Sequence, residues 1–431
     1  MYLLYNLLLL CALPFIVGYH LYRSASRGRP AALLERFGFV GTAPGAALAG
    51  TSPIWVHAVS VGETIAVRPL LKALKERFPE RPLVLSNMTE TGRAVALEIP
   101  WVDLCIRFPF DYPWAVRHLL RQIDPGLVII VETELWPNFL REARSMAIPT
   151  LIANGRISDR SFGRYLKARR LFRPVLDTVG AFCMQSGEDA RRIIAIGADG
   201  ARVQVARNLK FDIPALDLTA EERLACRRQY RLPEAATVIV AGSTHPGEEG
   251  QVVAAFSRLV AAGKEAVLVL VPRHPERAAE VAGLLQQAGL AYVRRSSLAG
   301  REAELAAGEV LLVDTIGELM RLYGLADVAF VGGSLVPVGG HNVLEPASLG
   351  VPVVIGPHMT NFREISALVL AADAALQVAD GEQLATALAT LLDDAARRAG
   401  MGENGRRLVL EQGGATARHL AAIEQCLRGK A

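Results

Sequence analysis

Residues 54–64 read Ile54-Trp55-Val56-His57-Ala58-Val59-Ser60-Val61-Gly62-Glu63-Thr64. A strand-length apolar run ends near a glycine, and beyond it Val67, Leu70, Leu71 and Leu74 fall at i, i+3, i+4 and i+7. This is a strand feeding a helix with one inward face, the repeating unit of a parallel sheet covered on both sides. Similar runs follow at Leu83–Met88, Leu127–Glu132, Thr150–Asn154, Ala181–Gln185 and Val203–Ala206, each separated by helical patterns. A polar stretch without strand signal then intervenes, with Pro214 near its start and Pro233 near its end. Beyond it a second series begins: Val238–Ala241, Ala266–Val271, Ala291–Arg294, Val310–Val313, Val328–Val331 and Val351–Ile355. The expected fold class is α/β, with two Rossmann-like doubly wound domains facing a cleft and an N-terminal membrane-anchor helix. The boundaries read as anchor 1–30, first domain 31–212, linker 213–236, and second domain with terminal helices 237–431.

A chain of 431 residues exceeds what one hydrophobic core usually supports, which agrees with two domains. Although 51% of residues are hydrophobic, a single stretch is long enough to cross a bilayer. The 47 basic and 43 acidic residues leave a net charge of +4, too little for a nucleic-acid partner bound through a broad basic surface. Five cysteines, odd in number and never in a C-x-x-C pair, point to a reducing compartment. No histidine clusters with them, so no metal site is expected. Residues Tyr2 to Tyr22 are apolar apart from Asn6, Pro14, Gly18 and His20, and Arg23, Arg27 and Arg29 follow them. No basic residue precedes the run, which reads as an uncleaved anchor with the remainder of the chain on the cytoplasmic side. Pro14 leaves open whether the segment spans the membrane or lies in its interface. Arg27, Arg29, Arg36, Lys72 and Lys75 are the cations expected to meet anionic headgroups.

Ligand crevices of open parallel sheets lie at the carboxyl ends of the strands, and the chemistry-bearing motifs fall there. Glu63 stands at a helix start, where a carboxylate can accept a proton from a hydroxyl; taken alone, it reads more readily as an acid that complements the helix dipole. Val131-Glu132-Thr133-Glu134-Leu135-Trp136-Pro137-Asn138 places two carboxylates beside a tryptophan after another strand. They can bind sugar hydroxyls or steady positive charge at an anomeric carbon, or simply open a helix with Trp136 in the core. In the second domain Val271-Pro272-Arg273-His274-Pro275 ends a strand on a cation suited to phosphate, and Asp314-Thr315-Ile316-Gly317-Glu318-Leu319 opens a further helix. Val331-Gly332-Gly333-Ser334 and Gly339-Gly340-His341-Asn342-Val343-Leu344-Glu345-Pro346 supply glycines that let backbone approach a phosphate, and an acid placed to grip ribose hydroxyls. Neither a P-loop nor G-x-G-x-x-G is present, which argues against ATP hydrolysis and dinucleotide redox chemistry.

These residues resemble the lipid A Kdo transferases, which move 3-deoxy-D-manno-oct-2-ulosonic acid (Kdo) from CMP-Kdo to a lipid A precursor. The likeness rests on V-S-V-G-E at 59–63, E-T-E-L-W-P-N at 132–138, N-L-K-F-D at 208–212, P-R-H-P-E-R at 272–277 and G-G-H-N-V-L-E at 339–345. It implies a GT-B architecture, with the acceptor on the first domain and the CMP-sugar on the second. It also implies Glu63 as catalytic base and Glu132 and Lys210 as transition-state stabilisers. Pro272, Arg273, Gly317, Glu318, Leu319, Asn342, Val343, Leu344 and Glu345 would hold CMP. The expected partners are CMP-Kdo, the lipid A precursor (lipid IVA) and inner-membrane lipid, with no cofactor and no metal. Arg207 stands where a glycine is expected before N-L-K-F-D. Two rival readings are a UDP-sugar enzyme of the same architecture, transferase or epimerase, and an exported two-domain solute-binding protein.

Overall fold

The computed structural model describes residues 2–27, 32–41, 48, 50–213, 216 and 218–428. Two compact units are present, one made of Met1–Asp212 with Gln412–Ala431 and the other of Ile213–Glu411.

The first unit is built on seven parallel strands: β1 (Ile54–His57), β2 (Leu83–Asn87), β3 (Leu104–Arg107), β4 (Leu127–Val131), β5 (Thr150–Gly155), β6 (Ala181–Met184) and β7 (Val203–Val205). Their order is β3-β2-β1-β4-β5-β6-β7, so the direction of winding reverses between β1 and β4. Side chains alternate between two cores because successive strand residues point to opposite faces. Trp55, Val84, Ile130 and Phe182 pack on one face with helices Pro113–Ile123, Pro137–Ser145 and Gly187–Ile196. Ile54, Val56, Leu85 and Ile129 pack on the other with helix Arg68–Arg77 and the C-terminal helix Ala415–Arg428. The second unit repeats the plan with β8 (Thr237–Thr244), β9 (Ala266–Pro272), β10 (Tyr292–Arg294), β11 (Val310–Leu312), β12 (Val328–Val331), β13 (Val353–Ile355) and β14 (Ala375–Gln377). Its order, β10-β11-β9-β8-β12-β13-β14, reverses between β8 and β12.

Two strands were not anticipated, and both are edges. β3 is only partly covered and β14 is a three-residue Ala-Leu-Gln run, so neither carries the continuous apolar signal of a central strand. The boundaries read from sequence differ from the structure in two places. Residues 213–236 form part of the second unit rather than a free linker. Thr219 and Glu222 close a capping box on helix Ala220–Gln229, Arg223 donates to the Gly324 carbonyl, and Tyr230 is fully buried. The last twenty residues return to the first unit. Asp212 accepts the backbone N–H groups of Gly414, Ala415 and Thr416, capping that helix from far away in sequence, while Ala422 and Ile423 enter the core.

The N-terminal helix (Tyr2–Arg27) is long and apolar enough to cross a membrane. It is also fastened along its length to the first unit. Arg141 sits over the Tyr2 ring at 4.8 Å, the Tyr5 hydroxyl donates to Asp111 at 2.9 Å, and Asn138 donates to the Asn6 side chain at 2.6 Å. The Tyr112 hydroxyl donates to the Leu9 carbonyl at 2.8 Å, and His20 packs edge-on against Phe110. On the outward side Leu3, Leu7, Leu8, Leu10, Phe15 and Tyr22 are exposed. Three of the cations expected at headgroups are placed elsewhere. Arg36 is buried, donating to the Met88 carbonyl and lying over Phe110. Lys72 and Lys75 ride on helix Arg68–Arg77, which packs on the sheet face opposite the N-terminal helix, and they pair with Glu76 and Asp103. Arg29 and the side chain of Arg27 lie outside the described residues.

Candidate active site

Glu63 is positioned by its own helix. Ser60 is the N-cap of Val61–Ala66; its oxygen accepts the Glu63 N–H at 3.4 Å, and its hydroxyl donates to Glu63 Oε1 at 2.9 Å. The Val59 N–H donates to Oε2 at 2.7 Å. The Glu63 carboxylate therefore braces the start of its own helix, where an acid complements the helix dipole. The residue is 8% exposed, and burial pushes its carboxyl up to about 7, Glu132 and Glu134 adding to the rise against the bonds from Val59 and Ser60. A carboxyl group poised there is suited to general-base work at neutral pH. His57, three residues before the cap, belongs to the core instead, stacked on Phe108 and held neutral by burial.

Glu132 follows β4 directly and adopts φ +61, a left-handed conformation that side chains rarely take. Its N–H is held by the Ala153 carbonyl at 2.8 Å, which fixes the bend. Glu134 is likewise raised, by burial and then by Glu132. Glu63, in the helix after β1, and Glu132, directly after β4, thus follow the two strands that flank the reversal of the first sheet, where open parallel sheets place their ligand crevice. Lys210 comes from the short turn Leu209–Phe211, capped by Asn208 and tied to the end of β5 by the Leu209 N–H bond to Asn154. Arg207 has φ +68, which explains the expectation of glycine there; its guanidinium donates to the Gly413 carbonyl at 2.9 Å.

In the second unit the end of β9 is held to the end of β8 by Arg273 N–H donating to the Thr244 carbonyl at 2.9 Å. Glu345 lies close enough to Arg273 to feel its charge: burial raises its carboxyl, while the Asn342 amide and Arg273 lower it. Arg273, Asn342 and Glu345 are therefore brought together. Glu318 is differently occupied, accepting from Tyr230 at 2.7 Å, from Arg295 at 2.9 Å and from Thr315. Burial raises its carboxyl, but these three donors outweigh burial and hold it below its ordinary value. Its carboxylate braces the turn whose backbone, with Gly317 at φ +87, stands at the strand end.

The first glycine turn differs from the sequence reading. Gly333, Ser334 and Leu335 direct their N–H groups onto the carboxylate of Glu248, at 2.7, 2.9 and 2.8 Å, and the His245 N–H joins them. Those donors are consumed within the protein, so the turn is a brace rather than a phosphate cradle. Gly332 is required for it, because a Cβ there would lie 2.5 Å from the Ser243 carbonyl oxygen. Beside the turn, His245 and His341 share a 2.8 Å Nε2–Nε2 hydrogen bond in nearly parallel rings, and both are pushed toward the neutral form, chiefly by burial. Sequence reasoning passed over His245 and Glu248, although Ser243-Thr244-His245-Pro246-Gly247-Glu248 follows a strand end in the manner of the other motifs.

A family model for 3-deoxy-D-manno-octulosonic-acid transferase (kdotransferase) matches residues 31–213. The chain is 33% identical over 398 residues to the 3-deoxy-D-manno-octulosonic acid transferase of Haemophilus influenzae, covering 92% of this chain and 91% of that one. The chain belongs to the 3-deoxy-D-manno-octulosonic acid transferase family. The Kdo transferase of Bordetella pertussis is similar at 36% identity over 91% of both chains, and that of Chlamydia pneumoniae at 32% over 90% and 88%. This Kdo transferase is accordingly a glycosyltransferase. Its fold is shared with MurG of Acinetobacter baumannii (TM-score 0.55, 12% identity, 87% and 99% coverage). A UDP-GlcNAc 2-epimerase from Neisseria meningitidis is equally alike (TM-score 0.55, 12% identity, 86% and 100% coverage). The two-sheet plan of the Kdo transferase is thus that of GT-B enzymes.

Proposed function

We propose that this Kdo transferase takes Kdo from CMP-Kdo and delivers it to a hydroxyl of a lipid A precursor, lipid IVA, in lipopolysaccharide biosynthesis. The observation that carries the mechanism is the Glu63 carboxyl, buried beside two other acids and raised to about 7. Glu63 accepts the proton of the acceptor hydroxyl as that oxygen attacks the anomeric carbon. The bond from that carbon to the CMP phosphate oxygen breaks, CMP leaves, and the configuration inverts in one displacement. Glu132 faces the positive charge that develops at the anomeric carbon, and Lys210 offsets the carboxylate or phosphate charge of the donor. Arg273 answers the departing monophosphate, Asn342 to Glu345 hold the ribose, and Pro272 and the Gly317–Leu319 backbone complete the CMP site. A leaving monophosphate carries less charge than a diphosphate, so Arg273 serves where a divalent ion otherwise would; a chelator is expected to leave turnover unchanged.

The N-terminal helix supports action at the cytoplasmic side of the inner membrane. Its contacts from Tyr2 to His20 run over roughly 27 Å of helix. A spanning orientation would carry Asp111 and Asn138 into hydrocarbon with it, at high cost. The helix therefore lies in the interface, with its leucines toward the acyl chains.

The test is incubation of purified full-length protein with CMP-Kdo and a tetra-acylated lipid A precursor, beside a Glu63→Ala variant. Product is expected from the parent alone, with CMP binding retained by the variant. Undiminished turnover by the variant, or a preference of the parent for UDP-sugars, would show the reading to be wrong.

A further inference from the structure

We propose that helices Asp159–Lys167 and Arg169–Leu176 form a second membrane contact, docking on the anionic headgroups of the bilayer in which the N-terminal helix is seated. The pair displays Arg160, Arg164, Lys167, Arg169, Arg170 and Arg173, all exposed, and none of the six forms an ion pair among the described residues. The one acid in the pair, Asp159, is engaged by Arg192. Cations on a protein surface are ordinarily interspersed with acids; an uncompensated row on an amphipathic helix is the pattern that binds an anionic surface. Leu166 and Leu171 stand exposed among the cations, at 37% and 53%, the apolar component that shallow insertion needs.

The inner side of the pair shows that these charges are held in place. Phe162, Tyr165 and Phe172 pack against the core of the first unit, Val175 and Leu176 are buried in it, and Tyr165 meets Phe172 edge-on at 4.7 Å. That core covers the same sheet face on which the N-terminal helix docks. Helix Pro137–Ser145 contacts both: Asn138 and Arg141 hold the N-terminal helix, and helix Arg169–Leu176 packs beside it. A bilayer reached by the exposed leucines of the first is thus also within reach of the cations of the second. Of the cations named from sequence, Arg36 is buried and Lys72 and Lys75 ride on the opposite face, so none of these three competes with the helix pair for the headgroups.

This inference goes beyond the transfer reaction and holds whichever sugar is moved. Full-length protein is floated with vesicles of phosphatidylcholine alone or with about one third phosphatidylglycerol, comparing the parent with Lys167→Gln/Arg170→Gln/Arg173→Gln. Each cation near such a surface is worth about fivefold in partitioning. The variant should therefore lose roughly a hundredfold of the parent's preference for anionic over neutral vesicles, and keep its binding to neutral ones. A control with Arg68→Gln/Lys72→Gln/Lys75→Gln should keep the preference, and salt should erode it in the parent. An anionic preference that survives in the triple variant overturns the proposal. So does an equal loss on both vesicle types, or a change confined to self-association. Should the triple variant melt early, the single Arg170→Gln variant decides by the same measure, at about fivefold.

Discussion

Ser60→Ala separates the two roles that meet in Glu63. The Ser60 oxygen caps the helix through the Glu63 N–H, and its hydroxyl donates to the Glu63 carboxylate at 2.9 Å. Losing the cap costs about 1 kcal/mol, which lowers the melting temperature by roughly 2–4 °C in a unit of this size. A hydrogen bond to a charged group is worth somewhat more, about 1.4 kcal/mol at the low end, equal to about one pKa unit. The Glu63 carboxyl, about 7 in the parent, should rise accordingly. A general base works when ionised, so kcat/KM of the parent should climb about tenfold per pH unit and level off above about 7. In the variant that plateau moves to higher pH. At pH 7 the ionised fraction falls from about one half to about one tenth, a roughly fivefold loss that vanishes near pH 9. The assay is initial-rate transfer from pH 5.5 to 9, with thermal melting in parallel. A loss that is the same at every pH would reduce Ser60 to a cap, and a flat parent profile would remove Glu63 from the proton transfer.

Glu248→Ala strips the acceptor from four backbone N–H groups in a buried turn. It should cost at least about 3 kcal/mol and abolish CMP binding measured by calorimetry. Asp111→Ala leaves the N–H groups of Asn138 and Phe139 and the Tyr5 hydroxyl without their acceptor. About 3 kcal/mol of stability should go, with protease access to the N-terminal helix rising in detergent solution. Arg207→Ala and Arg207→Gly both lose the bond to Gly413, but only alanine keeps a Cβ at φ +68. Glycine should be the more stable variant by about 1 kcal/mol in urea denaturation, and equal stabilities would refute the strain.

Central strands were readable because a strand covered on both faces is a continuous apolar run, and helices because one face recurs at 3.6 residues. Edges were not: β3 and β14 spend their side chains on partial cover and fall below that contrast. Motif residues were legible for a related reason. Glu132 and Arg273 directly follow apolar strands, and Glu63 and Glu345 open the short helices reached from two others, so polar groups interrupt a pattern that is otherwise regular. By itself the chain's linear order determined the two-sheet class, the long apolar N-terminal helix and the list of residues that could do chemistry.

Tertiary structure alone decided which of them stand together and in what state. Strand order set Glu63 and Glu132 on either side of a sheet reversal, and burial raised the first to about 7. Glu248 claims backbone donors that the glycine spacing alone assigns to a phosphate. The C-terminal helix crossed back to a cap at Asp212, Arg36 was buried against Met88 and Phe110, and Lys72 was carried to the face opposite the N-terminal helix. Each of these depends on contacts between residues remote in sequence, and on the desolvation those contacts impose, neither of which a local pattern encodes.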